Sequence, residues 1–122
     1  MTTMVYKICE SAAWTEAAAA GSFSGSADDR RDGFIHLSTA AQVAGTLARH
    51  FSDAGGKGRP DLLLIAIDPP TLGPALKWEP ARDGALFFHL YGDLDTSRIA
   101  SVEPMPVAAD GRHVLPGDFQ SC

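Results

Sequence analysis

Apolar residues along this chain occur at two different spacings, and the spacing changes from segment to segment. A short run over residues 5–9 predicts a first strand. The continuous apolar run over residues 62–67 is typical of a strand covered on both faces. Three more strands are predicted over residues 33–39, 86–92 and 97–105, and a fourth over 75–79 that is closed by Pro80.

Two segments carry the signals of helices. Ser11 is predicted to cap a helix over residues 12–20, with Gly21 as its stop. Its inward stripe would consist of Trp14, Ala17 and Ala18.

A second helix is predicted directly after the strand that carries His36. It would begin at Ser38 or Thr39, and Thr39 followed by Gln42 has the spacing of a capping box. Apolar side chains then recur at helical spacing, so this helix should pack on a core through Ala40, Val43, Ala44, Leu47, Ala48 and Phe51.

The order of these elements predicts an α+β fold with two helices packed on a mixed, strongly twisted sheet. Residues 22–32 are rich in Gly, Ser and Asp and are interpreted as a solvated loop with local ion pairs. A glycine-rich stretch over 55–58 is interpreted as a connector, because the Ser or Thr of a phosphate loop is missing. We expect one globular domain over residues 1–106 and an irregular tail over 107–122.

Composition narrows the classes of partner. The 122 residues carry a formal net charge of −5 with ten Lys and Arg, which argues against binding to DNA or long RNA. The apolar runs are too short to cross a bilayer, and two cysteines, Cys9 and Cys122, do not make a disulfide framework. A cytoplasmic protein that binds a small molecule is therefore expected, and its oligomeric state is left open.

Two histidines stand inside apolar runs. Side chains alternate between the faces of a strand, so His36 shares a face with Phe34 and Ser38. By the same rule His89 shares a face with two aromatic residues, Phe87 and Tyr91. Small polar sites with aromatic walls are typical of a ligand cleft.

His36 is the first catalytic candidate, because imidazole exchanges a proton near neutral pH. His89 is the second, and Glu79 is the carboxylate that would hold a ribose hydroxyl or stabilise positive charge on a sugar carbon. Candidate ligand-binding residues are Tyr6, Lys7, Ser38, Thr39, Trp78, Arg82, Phe87 and Tyr91. The spacing of histidines and cysteines matches no set of paired metal ligands, so no metal site is predicted.

Several of these segments together resemble a bacterial family, the domain of unknown function 952. The resemblance covers residues 5–106, and the motifs occur in the same order: Tyr6-Lys7-Ile8, residues 32–39, residues 48–51, Leu76-Lys77-Trp78-Glu79-Pro80 and residues 86–92. Phe88 departs from the family pattern, in which proline is expected. The resemblance implies a small single-domain cytosolic protein.

A second resemblance is to the ADP-ribosyltransferase superfamily. A first strand, an Ala-rich helix and then Ile35-His36-Leu37-Ser38 leading into another helix are similar to part of that fold. It implies a split sheet that binds NAD, which makes NAD the candidate cofactor. The superfamily commonly has a histidine in its first strand, where this chain has Tyr6-Lys7-Ile8-Cys9.

Two hypotheses of function stay open. In the first, His36, Ser38, Glu79, His89 and Tyr91 build a cleft for a nucleotide-like or other compact anionic metabolite, and an NAD-dependent group transferase is its enzymatic form. In the second, the chain is a noncatalytic binding or protein-interaction module whose histidines satisfy buried hydrogen bonds. The first hypothesis requires the two imidazole rings to lie within about 12 Å of each other, since proton transfer has a short reach.

Overall fold

A computed structural model describes residues 4–52, 57–81 and 84–116 of the chain. The α-helices are α1 (Ser11–Ala20), α2 (Ala27–Asp32) and α3 (Val43–His50), and short 3₁₀ segments span Ala40–Gln42, Pro69–Ala75 and Thr96–Arg98. The strands are β1 (Val5–Glu10), β2 (Ser22–Phe23), β3 (Ile35–Thr39), β4 (Leu62–Ile67), β5 (Leu76–Pro80), β6 (Leu86–Leu90), β7 (Leu94–Asp95) and β8 (Ser101–Pro104).

Six strands form one twisted sheet in the order β5-β6-β3-β1-β4-β8, and β2 pairs with β7 in a small second sheet. The predicted α+β class is confirmed. The strand pairs among the described residues are antiparallel, whereas a mixed sheet was expected. Among the described strands, β5 and β6 are the one neighbouring pair that is consecutive along the chain, and helices α1 and α2 lie in the connection between the neighbours β1 and β3.

Each face of the large sheet has its own core. On one face, Trp14 and Ala17 of α1 pack with Phe23 and Leu94 against the odd-numbered residues of β1 and β4. On the other face, Val43 and Leu47 of α3 pack against even-numbered residues of the same strands, namely Ile8, Leu62 and Leu64. The continuous apolar run of β4 is therefore covered on both faces, as predicted.

Helix α1 begins one residue earlier than predicted. Glu10 occupies the N-cap position without a side-chain hydrogen bond, and Ser11 is already helical, so the predicted cap at Ser11 is wrong. The amide of Ser11 is satisfied instead by the carbonyl of Asp61. Gly21 ends the helix in the left-handed conformation, as predicted, and Ala18 is exposed.

The predicted capping box before the second helix is confirmed. Thr39 and Gln42 exchange the two reciprocal hydrogen bonds, and the Thr39 amide donates to Gln42 Oε1 at 3.0 Å. The chain passes through the 3₁₀ turn Ala40–Gln42 before α3 begins. Ala44 and Ala48 are exposed, so the buried stripe of α3 is narrower than predicted.

Two predicted segments differ from the structure. Residues 22–32, predicted as a solvated loop, contain β2 and α2, because Ser26 and Asp29 form a capping box that nucleates a short helix. The last strand of the sheet is limited to Ser101–Pro104 instead of 97–105. Asp95 accepts hydrogen bonds from the amide and hydroxyl of Ser97, which bends the chain into the 3₁₀ turn Thr96–Arg98.

The boundary between a domain over 1–106 and a tail over 107–122 stays a prediction. Val107 and His113 form an isolated antiparallel bridge beyond residue 106, and residues 117–122 lie outside the described part of the chain. Half of the glycine-rich connector interpreted at 55–58 also lies outside it, since residues 53–56 are not described.

Strands β1 and β3 pair over only two positions, Val5 with Thr39 and Tyr6 with Ser38. By contrast, β1 pairs with β4 over six positions. The sheet therefore opens between β1 and β3 beyond Tyr6. The groups that fill this opening form the base of the candidate site.

Candidate functional site

The carboxylate of Asp29 fills the opening between β1 and β3. Its Oδ1 accepts from the backbone amide of His36 at 3.1 Å, and its Oδ2 lies 2.8 Å from the ammonium of Lys7. Lys7 Nζ also donates to the carbonyl of His36 at 3.2 Å. The amide and carbonyl of His36 are thus satisfied by two side chains, which meets the requirement that buried backbone polar groups find partners.

Local sequence places Asp29 there. Asp29 is the third residue of α2, and its Oδ2 accepts from the amide of Ser26 at 2.9 Å. Gly25 precedes this cap with φ of +108°, and a Cβ at Gly25 would lie 2.7 Å from the Cβ of Asp29. Any residue larger than glycine at position 25 would therefore push Asp29 out of its place.

Asp29 is ionised despite being only 2% exposed. Burial alone would raise its pKa, but the hydrogen bond from His36 and the charge and hydrogen bond of Lys7 outweigh burial and hold the pKa well below its ordinary value. Lys7 is only 5% exposed, so the two charges form a buried ion pair. Nearby, burial raises the pKa of the Cys9 thiol to about 11, against the opposing charge of Lys7, so this thiol is neutral.

The imidazole of His36 lies between two carboxylates. Nδ1 is 2.6 Å from Asp29 Oδ1, and Nε2 is 3.0 Å from Asp32 Oδ2. A carboxylate only accepts hydrogen bonds, so a ring nitrogen that carries a proton donates to the carboxylate beside it. Both nitrogens of His36 are engaged by the protein.

The two histidines lie side by side, as the cleft hypothesis requires. His36 and His89 are cross-strand partners in β3 and β6, and their ring centroids are 5.6 Å apart. Phe34 stacks on the His89 ring at a centroid distance of 4.0 Å and also contacts the rings of His36 and Tyr91. The face alternation predicted for β3 and β6 brings these rings together.

His89 also belongs to a second polar cluster with Glu79 and Tyr91. Its Nδ1 lies 2.8 Å from Glu79 Oε1, and the Tyr91 hydroxyl donates to the same oxygen. The bonds from Tyr91 and from His89 lower the pKa of Glu79, and the bond to Glu79 raises the pKa of Tyr91. Glu79 is therefore an ionised acceptor at neutral pH.

An ionised Glu79 determines which nitrogen of neutral His89 carries the proton. Because the carboxylate can only accept, Nδ1 must donate, and Nε2 keeps its lone pair. No hydrogen bond among the described residues uses Nε2. His89 is only 3% exposed, and it is one of the residues that line the cleft.

The cleft above these clusters has a volume of about 1120 Å³. Its floor consists of β1, β3 and β6, with Phe87 and His89 on the β6 side. Residues of α2 line one part of the cleft, and another part is lined by Gln42 of the 3₁₀ turn and by Gly45, Thr46 and Arg49 of α3. A cavity of this size accommodates a ligand as large as a nucleotide.

The structure gathers most of the predicted site residues. His36 and His89 line the cleft, and Glu79 stands behind His89. Tyr6, Lys7, Ser38 and Phe87 also line it. Lys7 is held by Asp29, and the Ser38 hydroxyl bonds to Thr46 Oγ1 at 3.0 Å.

Other predicted site residues are not among those that line the cleft. Thr39 caps the 3₁₀ turn that leads into α3. Trp78 neighbours Glu79 in β5 but points to the opposite face of the sheet, where it packs on Phe88 at 4.6 Å between ring centroids. Tyr91 is not among the residues that line the cleft, and its hydroxyl is bonded to Glu79. Arg82 lies outside the described residues.

Sequence reasoning missed Asp29 and Asp32, which the structure brings to His36. It placed both in a solvated loop because they stand in the charged run Asp28-Asp29-Arg30-Arg31-Asp32. Ser26 and Asp29 have the spacing of a capping box at a helix N-terminus. This spacing could have predicted the helix that carries Asp29.

Within the described ranges, no group of three or more His, Cys, Asp and Glu side chains is arranged to hold a metal ion. Across the same residues, none of the helices has the length and apolar character that a membrane span requires.

The fold and the site define this chain as a small antiparallel α+β domain with a histidine-lined cleft. It belongs to the family described as Protein of unknown function (DUF952), whose model matches residues 8–102. The predicted resemblance to that family is confirmed. No curated protein sequence matches the chain.

Solved structures of Protein CC0527 from Caulobacter crescentus resemble the chain closely. Its X-ray crystal structure is 42% identical, with a TM-score of 0.81, and the match covers 91% of this chain and 93% of that one. Its solution NMR structure is 41% identical, with a TM-score of 0.80, and the match covers 96% of each chain.

The buried ion pair predicts the effect of Asp29→Asn on stability. The amide keeps the shape of the side chain but leaves the buried ammonium of Lys7 without a counter-charge, so the free energy of unfolding should fall by about 3 kcal/mol or more. Asp28→Asn is the matched control, because Asp28 pairs with Arg31 at the surface, and it should change stability by less than about 0.5 kcal/mol. Urea denaturation measures both, and equal losses would contradict the burial of charge at Asp29.

The hydrogen bond from Tyr91 predicts a shift in the titration of Glu79. In Tyr91→Phe the pKa of Glu79 should rise toward the ordinary value of about 4.3. Tyr6→Phe removes the other tyrosine hydroxyl of the chain and should leave Glu79 unchanged. Carboxyl ¹³C NMR across acidic pH follows Glu79 directly, and an unchanged titration in Tyr91→Phe would exclude the bond.

Proposed function

We propose that the cleft binds a nucleotide-like or other compact anionic metabolite and that His89 exchanges a proton with it through Nε2. The observation that carries the proposal is the state of the His89 ring. It is nearly buried, its Nδ1 is held by an ionised carboxylate, and its Nε2 has no partner among the described residues. A general base requires this arrangement, in which one nitrogen is oriented and the other is open.

The two histidines have different roles in this proposal. His36 is held by carboxylates at both nitrogens, so it serves as a positioning residue whose ring contacts His89 edge-on. His89 accepts the proton of a ligand hydroxyl at Nε2, while its Nδ1–H stays bonded to Glu79. The negative charge of Glu79 stabilises the imidazolium that forms.

The walls of the cleft support a planar or sugar-containing ligand. Phe87 and Phe34 contribute aromatic surface beside His89, on which a planar ring can stack. The sequence resemblance to ADP-ribosyltransferases adds NAD and its relatives to the candidate ligands. NAD and ADP-ribose therefore belong among the first ligands to test, with group transfer as the reaction class.

A matched pair of variants tests whether ligands bind in this cleft. Gly45 lines the cleft on α3, and a Cβ there would have no neighbour within 4 Å, whereas the adjacent Ala44 is exposed outside the lining. We expect AMP, ribose 5-phosphate, ADP-ribose or NAD to raise the thermal midpoint of the wild-type protein and of Ala44→Phe. Gly45→Phe should abolish that rise, since its ring occupies the ligand volume.

The size of the effect follows from mass action, because a ligand at a hundredfold excess over its Kd stabilises the fold by about 2.7 kcal/mol. If the ligand raises the thermal midpoint equally in Ala44→Phe and Gly45→Phe, it binds outside the cleft. If none of the four compounds raises the midpoint of the wild type, the binding proposal fails for this class of ligand.

Catalysis at His89 is tested with His89→Gln on whichever compound binds. The variant should bind the compound within a few-fold of the wild type and convert it at least about a hundredfold more slowly. Product formation is followed by chromatography. Binding to the wild type without any conversion would favour the noncatalytic module, and unchanged conversion in His89→Gln would exclude the proposed base.

A further inference from the structure

The large sheet has two edge strands, β5 and β8. In β5 the amide of Tyr91 donates to the carbonyl of Ala75 at the start of the pairing with β6. Hydrogen-bonded and non-hydrogen-bonded pairs alternate along an antiparallel ladder, so Trp78, which lies opposite Phe88, directs its amide and carbonyl away from β6. These two backbone groups of Trp78 therefore face the open edge of the described sheet.

Apolar side chains cover one face of the sheet beside this edge. Trp78 is 48% exposed and Leu86 is 42% exposed, and Trp78 packs on the half-buried ring of Phe88. Pro80, which lies opposite Leu86 in the register, is exposed as well. Single apolar residues are common at protein surfaces, but a contiguous apolar patch beside backbone groups at a sheet edge is typical of a protein–protein contact.

The sequence of β5 is complementary to a second copy of itself. If two β5 strands pair antiparallel about a two-fold axis at Trp78, each Trp78 amide donates to the carbonyl of the partner's Trp78. The same register brings Lys77 opposite the partner's Glu79, and Leu76 opposite the partner's Pro80. Opposite charges then meet on one face of the joined sheet and apolar side chains on the other.

Trp78 is the centre of this pairing. The amide of Leu76 donates to the carbonyl of Gly73 in its own chain, and Pro80 has no amide. The backbone hydrogen bonds between the copies are therefore the two that join the Trp78 residues, and side-chain contacts must supply the remaining affinity. Tryptophan is enriched among the residues that dominate the binding energy of interfaces.

Glu79 has an oxygen available for the partner. His89 and Tyr91 both bond to Oε1, and no hydrogen bond or ion pair within the described ranges uses Oε2. Lysine in an edge strand ordinarily discourages pairing. In this register, however, each Lys77 meets a carboxylate, and the four charges of the two copies alternate in sign.

The other edge strand lacks this complementarity. Val102 of β8 is 39% exposed, and its two neighbours in the strand are Ser101 and Glu103. Pairing of two β8 strands about Val102 would bring no opposite charges together. Pairing of β5 with the β8 of another copy would leave a free edge on each end and add copies without limit, whereas pairing of β5 with β5 closes at two copies.

We propose that this protein forms a two-fold symmetric dimer through β5, in which the two large sheets join into one continuous sheet. Trp78 packs on Phe88 and on the partner's Trp78, and the partner's Lys77 binds Oε2 of Glu79. Because Glu79 also bonds to His89, each copy contributes a cation to the polar cluster of the other. The dimer does not depend on the proposed function.

Sedimentation equilibrium measures this association, and the wild-type protein should have the mass of two chains. Trp78→Ala removes the side chain at the centre of the contact and should raise the dissociation constant of the dimer at least about tenfold. Val102→Ala is the matched control. It removes an exposed apolar side chain from the other edge strand and should leave the dissociation constant unchanged.

Charge reversal tests the same contact with the apolar patch intact. Lys77→Glu brings like charges together on both sides of the two-fold axis and should also raise the dissociation constant about tenfold. Arg112→Glu makes the same change of charge at an exposed position outside the sheet, and it should have no effect. Circular dichroism establishes that each variant is folded.

A wild-type protein that sediments as a single chain at about 1 mM would overturn the dimer, because even a weak interface is half occupied at that concentration. A mass above two chains would contradict the closed pairing. A dimer that Trp78→Ala and Lys77→Glu weaken no more than their controls do would exclude β5 as the contact. None of these results bears on ligand binding in the cleft, so the proposed function would stand in each case.

Discussion

One buried carboxylate holds this site together. Asp29 stands where β1 and β3 separate, and it bonds at once to the backbone of β3, to the ammonium of Lys7 and to the ring of His36. Without it, the separated strands would expose unpaired backbone groups of His36 to a dry interior, which costs about 1–3 kcal/mol for each group. The ion pair therefore keeps the sheet open, and the open sheet provides the floor of the cleft.

Two polar systems with different properties meet on this floor. The Lys7–Asp29–His36 cluster is closed, because the carboxylate of Asp29 compensates the charge of Lys7 and both nitrogens of His36 are bonded. In the Glu79–His89–Tyr91 cluster, Nε2 of His89 has no hydrogen bond among the described residues, and His89 lines the cleft. Under the proposed function, proton transfer belongs to the second cluster, whereas the first contributes to stability. The ring of Phe34 stacks on His89 and contacts His36, which holds both clusters at a fixed distance.

Local rules predicted much of the scaffold from the sequence. Alternation along β3 and β6 was enough to expect His36 and His89 on surfaces that line a cleft, and the residue types at Thr39 and Gln42 were enough to predict the capping box. The same alternation explains why Trp78 is absent from the cleft, since it and Glu79 are adjacent in β5. The role of Asp29 was not predictable in this way. A charged run is ordinarily solvated, and burial of one member depends on Lys7 in another strand and on a register that breaks after two pairs.

The pH dependence of stability tests the central role of an ionised Asp29 most directly. Its pKa in the folded protein lies well below the unfolded value of about 3.9, so its stabilising contribution is complete above roughly pH 5 and is lost progressively as the pH falls below 4. We predict that the free energy of unfolding, measured by urea denaturation between pH 5 and pH 2, falls more steeply in the wild-type protein than in Asp29→Asn. Equal slopes in the two proteins would contradict the account.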